Sequence, residues 1–302
     1  MHILMTNHTV ANIGGTETWL KTMSDELLRR GHKVEVFTLL AGKFAKHLNC
    51  PVTTELRGRM APYDLIIVNH NTCLGMLTLH EVEGPKVFTS HGPAHKLEQA
   101  NYGADYYVSV SEEVLSAQAA LGFFGEVVRN PIDLEKFRPQ DDAARHPMLI
   151  MCKNADAMRM ARRACELAGI AADVVHYEAA PADNVHEILP LYEAVITSGR
   201  GVYEALACGC DVFIFDVRSG IMRGDGWVTS QNMLELVQYN CSGRAIDKRW
   251  SGPKELADDL AGAGHPLNED GWSRDWVERK HDVRKNIEKY LAKAAVTEEV
   301  AA

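Results

Sequence analysis

No stretch of this 302-residue chain comes near the ~18 consecutive apolar residues that a membrane-spanning helix needs. The N-terminal MHILMTNHTV has no basic flank ahead of its apolar run, so no secretory leader is expected. With only 23 glycines and 11 prolines the chain is neither collagen-like nor of low complexity, and 46% hydrophobic residues are too many for a disordered one. None of the seven cysteines (50, 73, 152, 165, 208, 210 and 241) belongs to a C-x-x-C pair. Cys208 and Cys210 flank a single glycine, a spacing that suits neither a zinc knuckle nor a redox helix. Buried free thiols in a cytoplasmic protein are the expectation.

What is present is an ordinary globular composition with a formal net charge of -9. The charge is uneven: residues 1–140 carry 13 basic and 15 acidic side chains, so most of the excess acid lies beyond them. The acidic balance argues against a non-specific nucleic-acid binder but leaves room for a local basic patch in the first half. The length suits two domains, each long enough for its own core.

The first half alternates strand-like and helix-like segments. Short apolar runs at His2–Thr6, Lys33–Leu39, Asp64–Asn69, Lys86–Ser90 and Tyr106–Val110 read as buried parallel strands. Between the first two, Trp19, Leu20, Met23 and Leu27 share one helical face that Gly31 terminates. The polar, proline-bearing Arg138–Pro147 reads as a linker. The pattern then restarts with a strand at Met148–Cys152, a helix at Ala155–Ala168, strands at Ala194–Ser198 and Asp211–Asp216, and a helix at Val202–Cys208 between the last two. Trp272–Lys293 reads as one long charged helix. The expected division is therefore 1–140, 141–268 and 269–302, two α/β domains with parallel sheets and a terminal helix.

Several segments sit where such strands end. Gly14-Gly15-Thr16-Glu17 fits a glycine turn that lets a ligand approach a helix start, and equally a plain βα turn capped by Thr16; its spacing excludes a dinucleotide fingerprint. His91 after KVFTS and His70 after DLIIVN stand at strand ends, where an imidazole can bind a hydroxyl or move a proton. Lys153, followed by Arg159, Arg162 and Arg163 on a helix, offers cations for a diphosphate, Arg162 and Arg163 belonging more naturally to a solvated face. The most informative run is Ser198–Gly209, where a strand ends in a Gly-Arg-Gly turn and a helix begins. Its first amides suit phosphate, and Glu204 suits a ribose diol or simply the helix dipole.

In order, Gly14-Gly15 with Glu17, His91-Gly92, VSVSEEV (Val108–Val114), NPID with Phe137 and Pro139, and YEALACGCDVFIF resemble the GT-B glycosyltransferases, and within them retaining family four. The resemblance spans nearly the whole chain. It implies two Rossmann-like domains facing across a cleft, residues 1–140 meeting the acceptor and 141–268 the nucleotide sugar. The closing segment, with Trp272 and Trp276, is similar to the one that crosses back to the first domain. The resemblance implies a retaining hexosyltransferase using a nucleoside-diphosphate sugar, UDP favoured over GDP, with no cofactor. By its motifs His91 is the catalytic histidine. Gly14, Gly15, Lys153, Arg159, Ser198, Arg200, Gly201, Val202, Tyr203 and Glu204 are the donor-binding set. Within it, the amides of Gly201 and Val202 meet phosphate, and Glu204 grips the ribose as the second glutamate of E-x7-E. The first glutamate falls on Ile196, leaving Ser198 and Arg200 as polar candidates for its sugar contact. The absence of any Asp-x-Asp pair favours a metal-independent reaction.

Glu17, His70, Lys43 and Arg57 are the acceptor-side candidates. The last two belong to a basic stretch with Lys46, His47 and Arg59, which fits a solvated loop or an anionic acceptor. A bulky acceptor is expected: a lipid phosphate, a glycan or a modified DNA base, with peripheral membrane association compatible with the first of these. A sugar-nucleotide epimerase and a nucleotide-sugar-binding pseudoenzyme are the competing readings.

Overall fold

The computed structural model describes residues 1–56, 62–140, 145–175, 184–218, 220–262 and 271–301. The chain divides into two compact units, Met1–Pro131 with His281–Ala302, and Ile132–Lys280.

In the first unit seven strands form one parallel sheet: β1 (His2–Val10), β2 (Lys33–Ala41), β3 (Val52–Thr53), β4 (Leu65–Asn69), β5 (Lys86–Ser90), β6 (Tyr106–Ser109) and β7 (Glu126–Val127). Their order is β3-β2-β1-β4-β5-β6-β7, so strand order reverses between β1 and β4. Helices α1 (Gly15–Arg29), α2 (Asn71–Leu79) and α3 (Glu112–Ala120) connect them. Both faces are covered. Ile3 and Met5 pack with Trp19, Leu20 and Met23 of α1, whereas the intervening Leu4 packs with Leu74 and Leu77 of α2. That two-residue alternation between two apolar environments is why these strands read as continuous hydrophobic runs.

The second unit holds β8 (His146–Ile150), β9 (Ala172–Val174), β10 (Tyr192–Thr197), β11 (Asp211–Arg218), β12 (Ile221–Trp227) and β13 (Lys248–Arg249), in the order β13-β12-β11-β10-β8-β9. Strands β9, β8, β10 and β11 are parallel, with the reversal between β8 and β10; β12 and β13 add antiparallel edges. Its helices are α4 (Ala155–Ala168), α5 (Val185–Ile188), α6 (Arg200–Ala207), α7 (Met233–Leu236), α8 (Pro253–Ala261) and α9 (Trp272–His281). Ala157, Ala161 and Ala164 of α4 pack with Ile196 and Phe213 on one face; Val202, Tyr203 and Leu206 of α6 pack with Val195 and Val212 on the other.

Two expectations are corrected. The division lies before the polar stretch at 138–147, because Ile132, Leu134 and Phe137 pack into the second unit's core. Arg274 secures them there, donating to the carbonyls of Leu134, Phe137 and Ala207. The long terminal helix is two helices, α9 and α10 (Val283–Ala301). Asp282 separates them: it is buried, and its carboxylate accepts the Arg284 amide at 2.9 Å as a cap does. Trp272 and Trp276 stay with the second unit's core, while α10 supplies Val283, Ile287 and Tyr290 to the first.

Candidate functional site

In each unit most candidate residues lie at the carboxyl ends of strands beside the point where strand order reverses, the place where open α/β sheets bind ligands.

In the first unit Thr6 pairs with Val68 across β1 and β4, and Asn7 and Asn69 follow, both fully buried. Asn69 Oδ1 accepts a hydrogen bond from His91 Nε2 at 3.0 Å, so that nitrogen carries the proton. The His91 ring stands edge-on to Trp19 at 5.2 Å, and Trp19 in turn meets Tyr290 of α10 at 5.9 Å. The Tyr290 hydroxyl reaches Thr89 Oγ1 at 3.2 Å, beside His91 on β5 and its exit. Asn7 Nδ2 donates to Glu17 Oε1 at 3.1 Å, and Thr16 Oγ1 donates to Glu17 Oε2 at 3.1 Å. Glu17 is thereby buried at 7% exposure and anchored to the β1 edge. A Cβ on Gly14 would collide with the Glu17 carboxylate, whereas one on Gly15 would meet nothing within 4 Å. The helix cap is Gly14 and not Thr16, whose hydroxyl serves Glu17 instead.

His70 has φ 71° and ψ 133°, a backbone region that side chains rarely enter and that costs about 1–3 kcal/mol. Its Nδ1 accepts the His8 amide at 3.0 Å. Burial first, then the neighbouring His8 and His95, pushes its pKa down to about 4. Because the folded value lies below the ordinary one of about 6.5, its contribution to stability is complete above that pH and is lost as pH falls toward 4. The first unit's resistance to urea should therefore fall as pH drops through that window. In His70→Asn, which keeps an acceptor for the His8 amide, the dependence should flatten; an unchanged slope would count against this origin.

Lys43 is exposed, and its amide donates to the Ala11 carbonyl at 3.0 Å, beside the exit of β1. Arg57 and Arg59 lie outside the described residues.

In the second unit β10 passes into α6 through only Ser198 and Gly199. Gly199 has φ 65°, the conformation this tight reversal needs and that glycine adopts without a Cβ clash. Gly201 is packed so that a Cβ would come 2.6 Å from Thr197 Oγ1. Arg200 Nε donates to Glu204 Oε1 at 2.7 Å, both side chains about nine-tenths buried. Glu204 thus has a partner one turn away that the motif resemblance did not foresee. The Val202 amide is taken by the Gly199 carbonyl at 3.1 Å, and Val202 and Tyr203 are core residues. Tyr203 stacks on Trp276 at 6.4 Å, and its hydroxyl donates to Asn240 Oδ1 at 3.2 Å.

Lys153 is exposed three residues beyond β8. Arg159 is turned to the outer face of α4, 72% exposed and paired with Asp156, and is not brought to the strand edge. Ile196 is fully buried under α4, so no side chain there reaches a ligand. The residue that sequence reasoning passed over is Asp216 on β11, two residues past its last pair with β10: it is 3% exposed, and its Oδ2 accepts from Ser198 Oγ at 3.2 Å. An acid closing an apolar run, DVFIFD, was the available signal.

The two parallel-dominated α/β units define the GT-B fold. No family model and no curated protein matches the sequence. Among solved structures, AviGT4, a glycosyltransferase involved in avilamycin A biosynthesis, is similar over 98% of this chain and 97% of its own, with TM-score 0.57 and 16% identity. An alpha-glucosyltransferase in complex with UDP and a 13-mer DNA is similar over 98% and 100%, with TM-score 0.59 and 12% identity. WaaG, a glycosyltransferase involved in lipopolysaccharide biosynthesis, is similar over 96% and 98%, with TM-score 0.56 and 11% identity. No helix among the described residues is long and apolar enough to cross a membrane.

Proposed function

We propose that the protein is a glycosyltransferase that takes a hexose from a nucleoside-diphosphate sugar, UDP-linked in preference to GDP-linked, with retention at the anomeric carbon. The observation that carries the reading is Arg200. A cation on the first residue of a helix opposes the helix dipole, and burial makes it costlier. Arg200 is held there by Glu204, whose carboxylate offsets its charge and fixes its orientation, so the strand-to-helix turn sets a guanidinium beside a helix start where a diphosphate leaving group would need donors. Lys153, exposed beyond the neighbouring strand exit, adds a second cation.

In this reading Glu204 serves twice, orienting Arg200 and meeting the ribose. His91, with its Nε2 proton committed to Asn69, is the group of the first unit that contacts the transferred sugar. Glu17, His70 and Lys43 border the acceptor, which is bulky or anionic: a lipid phosphate, a glycan or a modified DNA base. Likeness of fold to AviGT4, WaaG and the alpha-glucosyltransferase supports glycosyl transfer. Metal independence rests on the missing Asp-x-Asp pair.

The test is incubation with UDP-, GDP-, ADP- and TDP-linked sugars, without acceptor and with EDTA. Slow release of free sugar with its anomeric configuration kept is the expected result. A new sugar-nucleotide isomer would make the protein an epimerase, and binding without turnover a nucleotide-sugar-binding pseudoenzyme.

A further inference from the structure

Three polar side chains border the turn after β10: Arg200, Ser198 and Asp216. Arg200 is a cation bound to Glu204, which suits phosphate. Ser198 is ambiguous in isolation, since a hydroxyl can donate to phosphate or accept from a sugar. The structure removes the ambiguity. Asp216 Oδ2 lies 3.2 Å from Ser198 Oγ, and a carboxylate only accepts, so the Ser198 proton points at Asp216. Asp216 is itself fixed: it is 3% exposed, and its Oδ1 accepts the Val217 amide at 2.8 Å. Cys152 Sγ donates to the Phe215 carbonyl at 3.6 Å, so past the end of β10 the segment leading to Lys153 touches β11 next to Asp216. The carboxylate therefore belongs to the same strand-end cluster as the candidate diphosphate ligands.

We infer that Asp216 is a positioning residue that makes Ser198 an acceptor-only contact for a hydroxyl of the donor sugar, and that the donor sugar is uncharged. The inference rests on the donor-site reading above and deepens it. With its proton committed, Ser198 cannot donate to a phosphate or to a uronate carboxylate; it offers an oxygen lone pair to a ligand O–H. A uronic acid would also bring a second negative charge within a hydroxyl's length of the buried Asp216 carboxylate. The turn is thus divided by chemistry, Arg200 and the helix start taking the anion and the Ser198–Asp216 pair taking the neutral sugar. Ser198, two residues on, supplies the hydroxyl contact that Ile196, buried in the sheet, cannot make, and the neighbouring strand supplies the carboxylate that orients it.

The experiment is calorimetric titration of the full chain and of Ser198→Ala, Ser198→Thr and Asp216→Asn with UDP, UDP-glucose and UDP-glucuronic acid. UDP affinity should stay within about twofold of wild type in all three variants, because none of them touches the anion contacts. The affinity for UDP-glucose relative to UDP should fall about tenfold in Ser198→Ala and Asp216→Asn, the worth of one hydrogen bond, and hold in Ser198→Thr. Wild type should prefer glucose to glucuronate by at least about tenfold, a preference that shrinks in Asp216→Asn. Merely structural roles would lower UDP and UDP-glucose affinity together. An unchanged ratio in Ser198→Ala, or glucuronate bound as well as glucose by the wild type, overturns the inference while UDP binding leaves the donor-site reading standing. Failure of the wild type to bind UDP would remove that reading and this inference with it. Should Asp216→Asn not fold, the two substitutions of half-buried Ser198 carry the test.

Discussion

Replacing Glu204 with alanine is expected to cost both stability and donor binding, because it leaves the Arg200 guanidinium nearly buried at a helix start with its carboxylate removed. Breaking such a pair from one side costs about 3–5 kcal/mol, the upper end applying only to full burial. Loss of a hydrogen-bonded charge at the ligand should weaken the donor by roughly a hundredfold. The two effects can be separated. Arg200→Leu with Glu204→Leu removes both charges and extends the apolar contacts of α6, so thermal stability should return to near wild type while donor binding does not. Calorimetry and a melting curve on both proteins decide the matter. Wild-type donor affinity in the double variant would show that neither residue serves the ligand.

Tyr290→Ala carries the second large effect. The side chain is fully buried in the first unit's core, lies across Trp19, and hydrogen-bonds Thr89. Truncating a buried aromatic costs about 3–5 kcal/mol. Tyr290→Phe, which loses only the hydroxyl contact, should cost about 1 kcal/mol. Trp19 is the one tryptophan of the first unit, so in a background with the other four replaced by phenylalanine the fluorescence transition reports that unit. In Tyr290→Ala that transition should move to lower denaturant, and turnover should fall because Trp19 no longer braces the His91 ring. An unmoved Trp19 transition would show that α10 contributes little to the unit's stability.

The parallel sheets were legible because both faces of each strand are buried, which turns β1, β4, β5 and β10 into apolar runs with turn residues between them. The antiparallel β12 was not: Arg223, Gly224, Asp225 and Gly226 show neither alternation nor β propensity. Gly224 is required by packing, since a Cβ would strike the Ile214 backbone on β11, a fact only the tertiary structure contains. The break at Asp282 was hidden because its carboxylate looks like any other charge on a polar helix.

At the sites, His91, Ser198 and Glu204 were visible as strand-end residues, but their partners were not. Asn69 reaches His91 across the β4–β5 register, and Asp216 reaches Ser198 across β10–β11. Such pairings need strand order, which sequence spacing does not carry. The Arg200–Glu204 pair is the exception, lying four residues apart on one helix where the spacing alone puts the two side chains together.

The split of the first unit between Met1–Pro131 and His281–Ala302 bears on how the chain is made. The second unit is continuous in sequence and can close as soon as Lys280 clears the ribosome. The first unit's strands emerge earlier yet lack Val283, Ile287 and Tyr290 until the second unit has been made, so the sheet waits with one flank of α1 uncovered. The unit that holds His91 is therefore begun before the second unit and completed after it, an interval in which its uncovered apolar surface is open to misassembly.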